Sequence, residues 1–97
     1  MRGYTKSEIV KIAAEHGLTL NESWTGPGPV WPLLELMMSQ ESVVILKLDG
    51  ERNPDVANGN FTVIAMGGGL QEREIRGDFE DLDEALCYLI GNYFRVE

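Results

Sequence analysis

Apolar residues recur along this chain with two different periods, and the switches between them mark out its elements. Thr5-Lys6-Ser7-Glu8 is a capping box, in which hydroxyl and carboxylate satisfy the free backbone donors of a first helical turn. Ile9, Ile12, Ala13 and His16 follow at helical spacing, with Val10 widening the stripe and Gly17 suited to the position just past the end, so a helix is predicted over residues 6 to 16. Leu18 and Leu20 then alternate with Thr19 and Asn21, which predicts a short edge strand over 18 to 23. Trp24-Thr-Gly-Pro-Gly-Pro-Val-Trp31 holds too many prolines and glycines for regular structure, while Pro32 suits the first turn of a helix to about Gln40 that carries Leu33, Leu34, Leu36, Met37 and Met38.

The second half reads as a meander followed by a helix. Ser42 to Leu48 (SVVILKL) is β-branched and apolar on both faces, as a central strand is. A polar connection over 49 to 60 leads to a second central strand, FTVIAM over 61 to 66. Gly67-Gly68-Gly69 turns the chain into a more polar strand, Leu70 to Arg76. Asp78 or Asp81 can cap a last helix reaching about Phe94, with Leu82, Leu86, Leu89, Ile90 and Tyr93 on its apolar face, Ala85 and Phe94 beside them and Phe79 as a staple. The expected order is α-β-α-β-β-β-α: an α+β fold with an antiparallel sheet of three to four strands and helices mainly on one face. At 97 residues, the chain is expected to be one domain spanning 1–97.

Charge changes the picture next. Sixteen Asp and Glu against eight Lys and Arg leave a net charge of -8, which argues against nucleic acid or an anionic membrane as a partner and favours a cationic protein. The 43% apolar and 25% charged fractions are those of an ordinary globular protein. No apolar run reaches transmembrane length and MRGYTKSEIV lacks the apolar core of a signal peptide, so a cytoplasmic protein is expected, for which the glycosylation sequons at Asn21 and Asn60 carry no meaning. The single Cys87 falls inside the last helical pattern and reads as a small buried hydrophobe.

Chemistry is thinly represented, so no enzyme, metal or cofactor is expected. His16 is the only histidine and sits at a helix end, where a cation is favoured. The triple glycine lacks the companions of a phosphate loop. Asp49, Glu51, Asn53 and Asp55 alternate like calcium ligands, but Pro54 and Asn60 stand where an EF-hand needs Gly and Glu.

Two features remain as candidate partner-binding surfaces. Asp78, Glu80, Asp81, Asp83 and Glu84 put five acids in seven residues at a helix start, with Glu72 and Glu74 on the preceding strand. Acids there favour the helix dipole, yet five exceed what one cap requires. Trp24 and Trp31 flank a stiff Gly-Pro loop, which packs on the core or docks a protein. Asp49, Glu51 and Asp55 form a second candidate acidic surface.

In size, acidity and its acidic-capped final helix, DFEDLDEALCYLIGNYF, the chain resembles the small bacterial immunity proteins that neutralise toxins of contact-dependent inhibition systems. The resemblance implies a protein that binds a cognate basic toxin, often a nuclease, and occludes its active site or substrate groove. Such a protein is expected to be a monomer or weak homodimer when free. Two other readings stand beside it: a ligand-binding or enzymatic domain with a pocket near Trp24, Trp31 and His16, or a structural subunit that self-assembles through the second apolar face of SVVILKL and FTVIAM.

Overall fold

The computed structural model of the protein describes residues 1–50 and 59–95. Three helices, α1 (Lys6–Glu15), α2 (Trp31–Ser39) and α3 (Leu82–Phe94), accompany strands β1 (Val43–Leu48), β2 (Phe61–Met66) and β3 (Glu74–Phe79), in the order α-α-β-β-β-α. The fold is α+β, with one antiparallel sheet ordered β1-β2-β3. No helix among the described residues is long and apolar enough to cross a membrane.

The local signals act where they stand. Thr5 accepts from the Glu8 amide while the Glu8 carboxylate accepts from Thr5, closing the capping box of α1. Past its other end, Gly17 takes φ +73°, its N–H donates to Ala14 and that of Leu18 to Ala13, a Schellman motif that satisfies the last carbonyls. α2 closes in the same way with Glu41 in the left-handed position at φ 65°.

Three expectations are corrected. Residues 18 to 23 form no strand: the Leu18 amide is spent on the end of α1, and Asn21 accepts from the Ser23 amide and hydroxyl in a tight turn that delivers Trp24 to the core. The third strand begins at Glu74 instead of Leu70, because Gly68–Leu70 coil into a 3-10 turn that buries Leu70 and seats Gly68 against the Gln40–Ser42 backbone. β1, which reads as central, is an edge strand among the described residues. Its two apolar faces have different causes: α2 lies below one, and the other is exposed.

Register separates the two faces of the sheet. Val43 lies opposite Met66, Ile45 opposite Ile64 and Lys47 opposite Thr62; these in turn face Glu74, Arg76 and Asp78 of β3. Among the described residues that outer face carries no helix. On the inner face, Val63, Ala65 and Ile75 are fully buried under α3, against which α1 packs, while Val44 and Leu46 face α2. Burying Ile9, Ile12, Leu33, Met37, Leu86, Leu89 and Ile90 between these elements contributes about 1.5–3 kcal/mol per side chain before entropy is counted. Gly91 lets the segment before α1 lie against α3, since the Tyr4 ring lies where its Cβ would be.

Candidate protein-interaction surfaces

The acidic run at the start of α3 divides into acids with internal duties and acids turned to solvent. Asp81 is the N-cap and accepts from the Glu84 amide at 2.9 Å. Asp83 is half-buried, and its two oxygens hold the Lys6 ammonium (2.8 Å), the Thr25 hydroxyl (2.6 Å) and the Gly26 amide (2.8 Å), tying α1 and the Trp24 loop to α3. Burial alone raises its pKa, but the Lys6, Thr25 and Gly26 donors outweigh that and hold it below the ordinary carboxylate value. Asp78 accepts from the Thr62 hydroxyl across the outer face.

Glu72, Glu74, Glu80 and Glu84 are exposed, and their carboxylates make no ion pair or hydrogen bond among the described residues. Glu72 and Glu74 stand at the start of β3, and Asp78, Glu80 and Asp81 at its end about 17 Å away, with Glu84 following in the first turn of α3. Arg73 and Arg76 are the nearby cations, Arg73 reaching the Asn92 carbonyl at 3.5 Å.

Among the described residues, Arg2, Arg95 and Lys47 pair with acids elsewhere, and Lys11 stands exposed on α1. Arg2 pairs with Glu8 at 2.8 Å, and that guanidinium together with the Thr5 amide pulls the Glu8 pKa down to about 2. Arg95 grips Glu15 through two bonds of 2.6 and 2.8 Å, which lowers the Glu15 pKa and raises that of Arg95. Lys47 stands 3.8 Å from Asp49. Glu51 and Asp55, the other members of the second acidic candidate, lie outside the described residues. Among the described residues the ion pairs thus gather mainly around α1 and α3, and along the β3 border six acids stand against Arg73 and Arg76, leaving it net negative.

The tryptophans part company. Trp24 is buried, its carbonyl accepts from Lys6 at 2.6 Å and the Lys6 ammonium sits 5.0 Å from its ring centre, so it is a core residue that cannot present its ring to a partner. Trp31, at the start of α2, is half exposed and walls an apolar cavity of about 430 Å³ with Pro27, Leu34, Met38, Val44 and Leu46. His16 lies on a different depression of about 400 Å³ with Leu18, Pro32 and Glu35, its ring 4.8 Å from that of Phe94 and its Nδ1 2.9 Å from the Ile12 carbonyl. Trp24, Trp31 and His16 thus do not share a pocket.

Cys87 is buried and its thiol is pushed up to about 11, first by burial and then by Asp83. Among the described residues no three His, Cys, Asp or Glu side chains gather as metal ligands do. Sequence reasoning missed the cavity below β1: its signal was the pair Trp31 and Met38, seven residues apart and so on one face of α2. Comparison with protein-family models, with curated proteins and with solved structures found no match to this chain.

Proposed function

We propose that this chain is a protein-binding inhibitor, an immunity-type protein whose acidic border along β3 covers the substrate groove of a basic toxin, a nuclease being the partner class such a surface suits. The observation that carries this reading is the set Glu72, Glu74, Glu80 and Glu84, four exposed carboxylates without internal partners beside one strand of a chain at net charge -8. Unrelieved like charge raises the cost of the free state, and a basic groove removes that cost on docking while its approach is accelerated by the field. Asp83 takes no part in this contact, because its oxygens are already filled by Lys6, Thr25 and Gly26.

The test substitutes glutamine at Glu72, Glu74, Glu80 and Glu84 together and leaves the cap Asp81 and the clamp Asp83 intact. The parent protein is expected to capture a basic protein from lysate of its source at low salt, to release it at high salt and to inhibit that protein's hydrolysis of nucleic acid. The fourfold variant is expected to stay folded and to lose both capture and inhibition. Equal capture by parent and variant, or a captured protein whose activity is untouched, sinks the reading.

A further inference from the structure

Among the described residues the sheet stops at β1, and this edge is built unlike the acidic one opposite. The Asp49 amide donates to the Asn60 carbonyl at 2.8 Å. The alternation of an antiparallel ladder then turns the backbone groups of Val43, Ile45 and Lys47 toward β2 and those of Val44, Leu46 and Leu48 outward. Edges are commonly blunted by proline, bulges or several charges. Val43–Leu48 has no proline and pairs residue for residue with β2 without a bulge; Lys47 is its only charge. Apolar side chains lie on both sides of the strand: Val43, Ile45, Leu48 and Met66 along the sheet, Trp31 and Met38 on α2 below, each between 37 and 62% exposed.

We propose that a second copy of this chain docks on this edge, the two β1 strands pairing antiparallel about a twofold axis at Ile45 to make one six-stranded sheet. Charge selects this occupant. Neither β1 nor the lining of the cavity below it contains a single Asp or Glu, so a basic protein finds no carboxylate there, while two chains of net charge -8 meet with least repulsion across this edge.

The strand is also self-complementary. With the axis at Ile45, Val44 falls opposite Leu46 of the second copy, so outward-turned amides and carbonyls meet each other. Val43 falls opposite Lys47 and Ile45 opposite Ile45, so within the paired strands no two like charges are directly opposed; Asp49 and Glu41 of the second copy follow just beyond the strand ends. Both α2 helices lie below the joined strands, where Trp31 and Met38 of each copy close over the cavity of the other.

Area agrees with a modest dimer. Fully exposed aliphatic side chains offer about 60–120 Å² and tryptophan about 200 Å², so the six exposed residues bring about 300 Å² of apolar surface per copy. At the roughly 65% apolar share of homodimer interfaces, two copies bury about 900 Å² in total, near the lower bound of specific association. The dimer is accordingly reversible and concentration-dependent.

The test uses the whole chain. Sedimentation over about a hundredfold range of concentration is expected to show monomer passing to dimer, with the dimer strengthened by salt as net repulsion is screened. That salt response is opposite in sign to binding at the acidic border, and glutamine at Glu72, Glu74, Glu80 and Glu84 should not weaken the dimer, so the two proposals fail separately. Ile45→Cys adds an exposed thiol to a chain whose own Cys87 is buried, and a non-hydrogen-bonded antiparallel pair sets the two Cα atoms about 4.5 Å apart, within disulfide range. Under mild oxidation it is expected to cross-link at least about tenfold faster than Lys11→Cys on exposed α1. Ile45→Lys, checked for folding by circular dichroism, should leave only monomer. A chain that stays monomeric at every concentration and salt, with Ile45→Cys no faster than Lys11→Cys, overturns the proposal and leaves the edge to a strand of another protein.

Discussion

Replacing Asp83 with alanine removes one carboxylate and three bonds at once: to the Lys6 ammonium, the Thr25 hydroxyl and the Gly26 amide. The Thr25 and Gly26 bonds to a charged acceptor are worth about 1 kcal/mol each or somewhat more. Lys6 is over a third exposed, so its pairing is screened by solvent and is taken as at most about 1 kcal/mol. The sum is about 3 kcal/mol, a large share of the 5–15 kcal/mol of a small domain, and lowers Tm by roughly 12–24 °C. Asparagine should not rescue, because its NH₂ group would face the Lys6 ammonium or the Gly26 amide, donor against donor.

The pH dependence supplies the sharper measurement. The native Asp83 pKa is depressed below the ordinary value of about 3.9, so its contribution is full above that value and is lost as pH falls through the native one. Urea unfolding of parent and Asp83→Ala should therefore differ by about 3 kcal/mol at pH 7, with the gap narrowing below about pH 4. A second arm adds Lys6→Met, whose effect should shrink in the Asp83→Ala background. A gap under about 1 kcal/mol at pH 7, or one of the same size at pH 3, refutes the assignment of Asp83 as the clamp.

Gly91→Ala improves helix propensity by about 1 kcal/mol but drives Cβ into the Tyr4 ring; a net loss of about 2 kcal/mol in thermal unfolding is expected, turning to a gain in a Tyr4→Ala background. Glu41→Gly, which relieves a left-handed φ of 65° on an exposed residue, should stabilise by about 0.5–1 kcal/mol in the same measurement. Cys87 should react with a thiol reagent at neutral pH only as fast as the native chain opens, and labelling should quicken in urea in step with unfolding. Tyr93→Phe removes the hydroxyl that donates to Gln40 at 2.8 Å and lies 2.7 Å from the Ser42 hydroxyl; a loss of about 1 kcal/mol by urea unfolding is expected.

Features whose partners lie within a few residues were legible in the amino-acid sequence. The Thr5–Glu8 box started α1, Gly17 ended it, Asp81, one of two caps open in the sequence, started α3, and FTVIAM is β2 residue for residue, because caps and side-chain periodicity act over one or two turns. What the chain does with those elements was decided between segments far apart. Whether SVVILKL is central or an edge depends on how many strands pair beside it, and the alternation of Leu18 and Leu20 found no strand to pair with. The five acids of 78–84 look alike in sequence, but Asp83 lies 77 residues from Lys6, and only packing of α1 on α3 made it a clamp while Glu80 and Glu84 stayed in solvent. Trp24 and Trp31 are likewise alike as residues, and the tertiary structure buried one in the core and left the other beside an open strand edge, since burial depends on which surfaces meet.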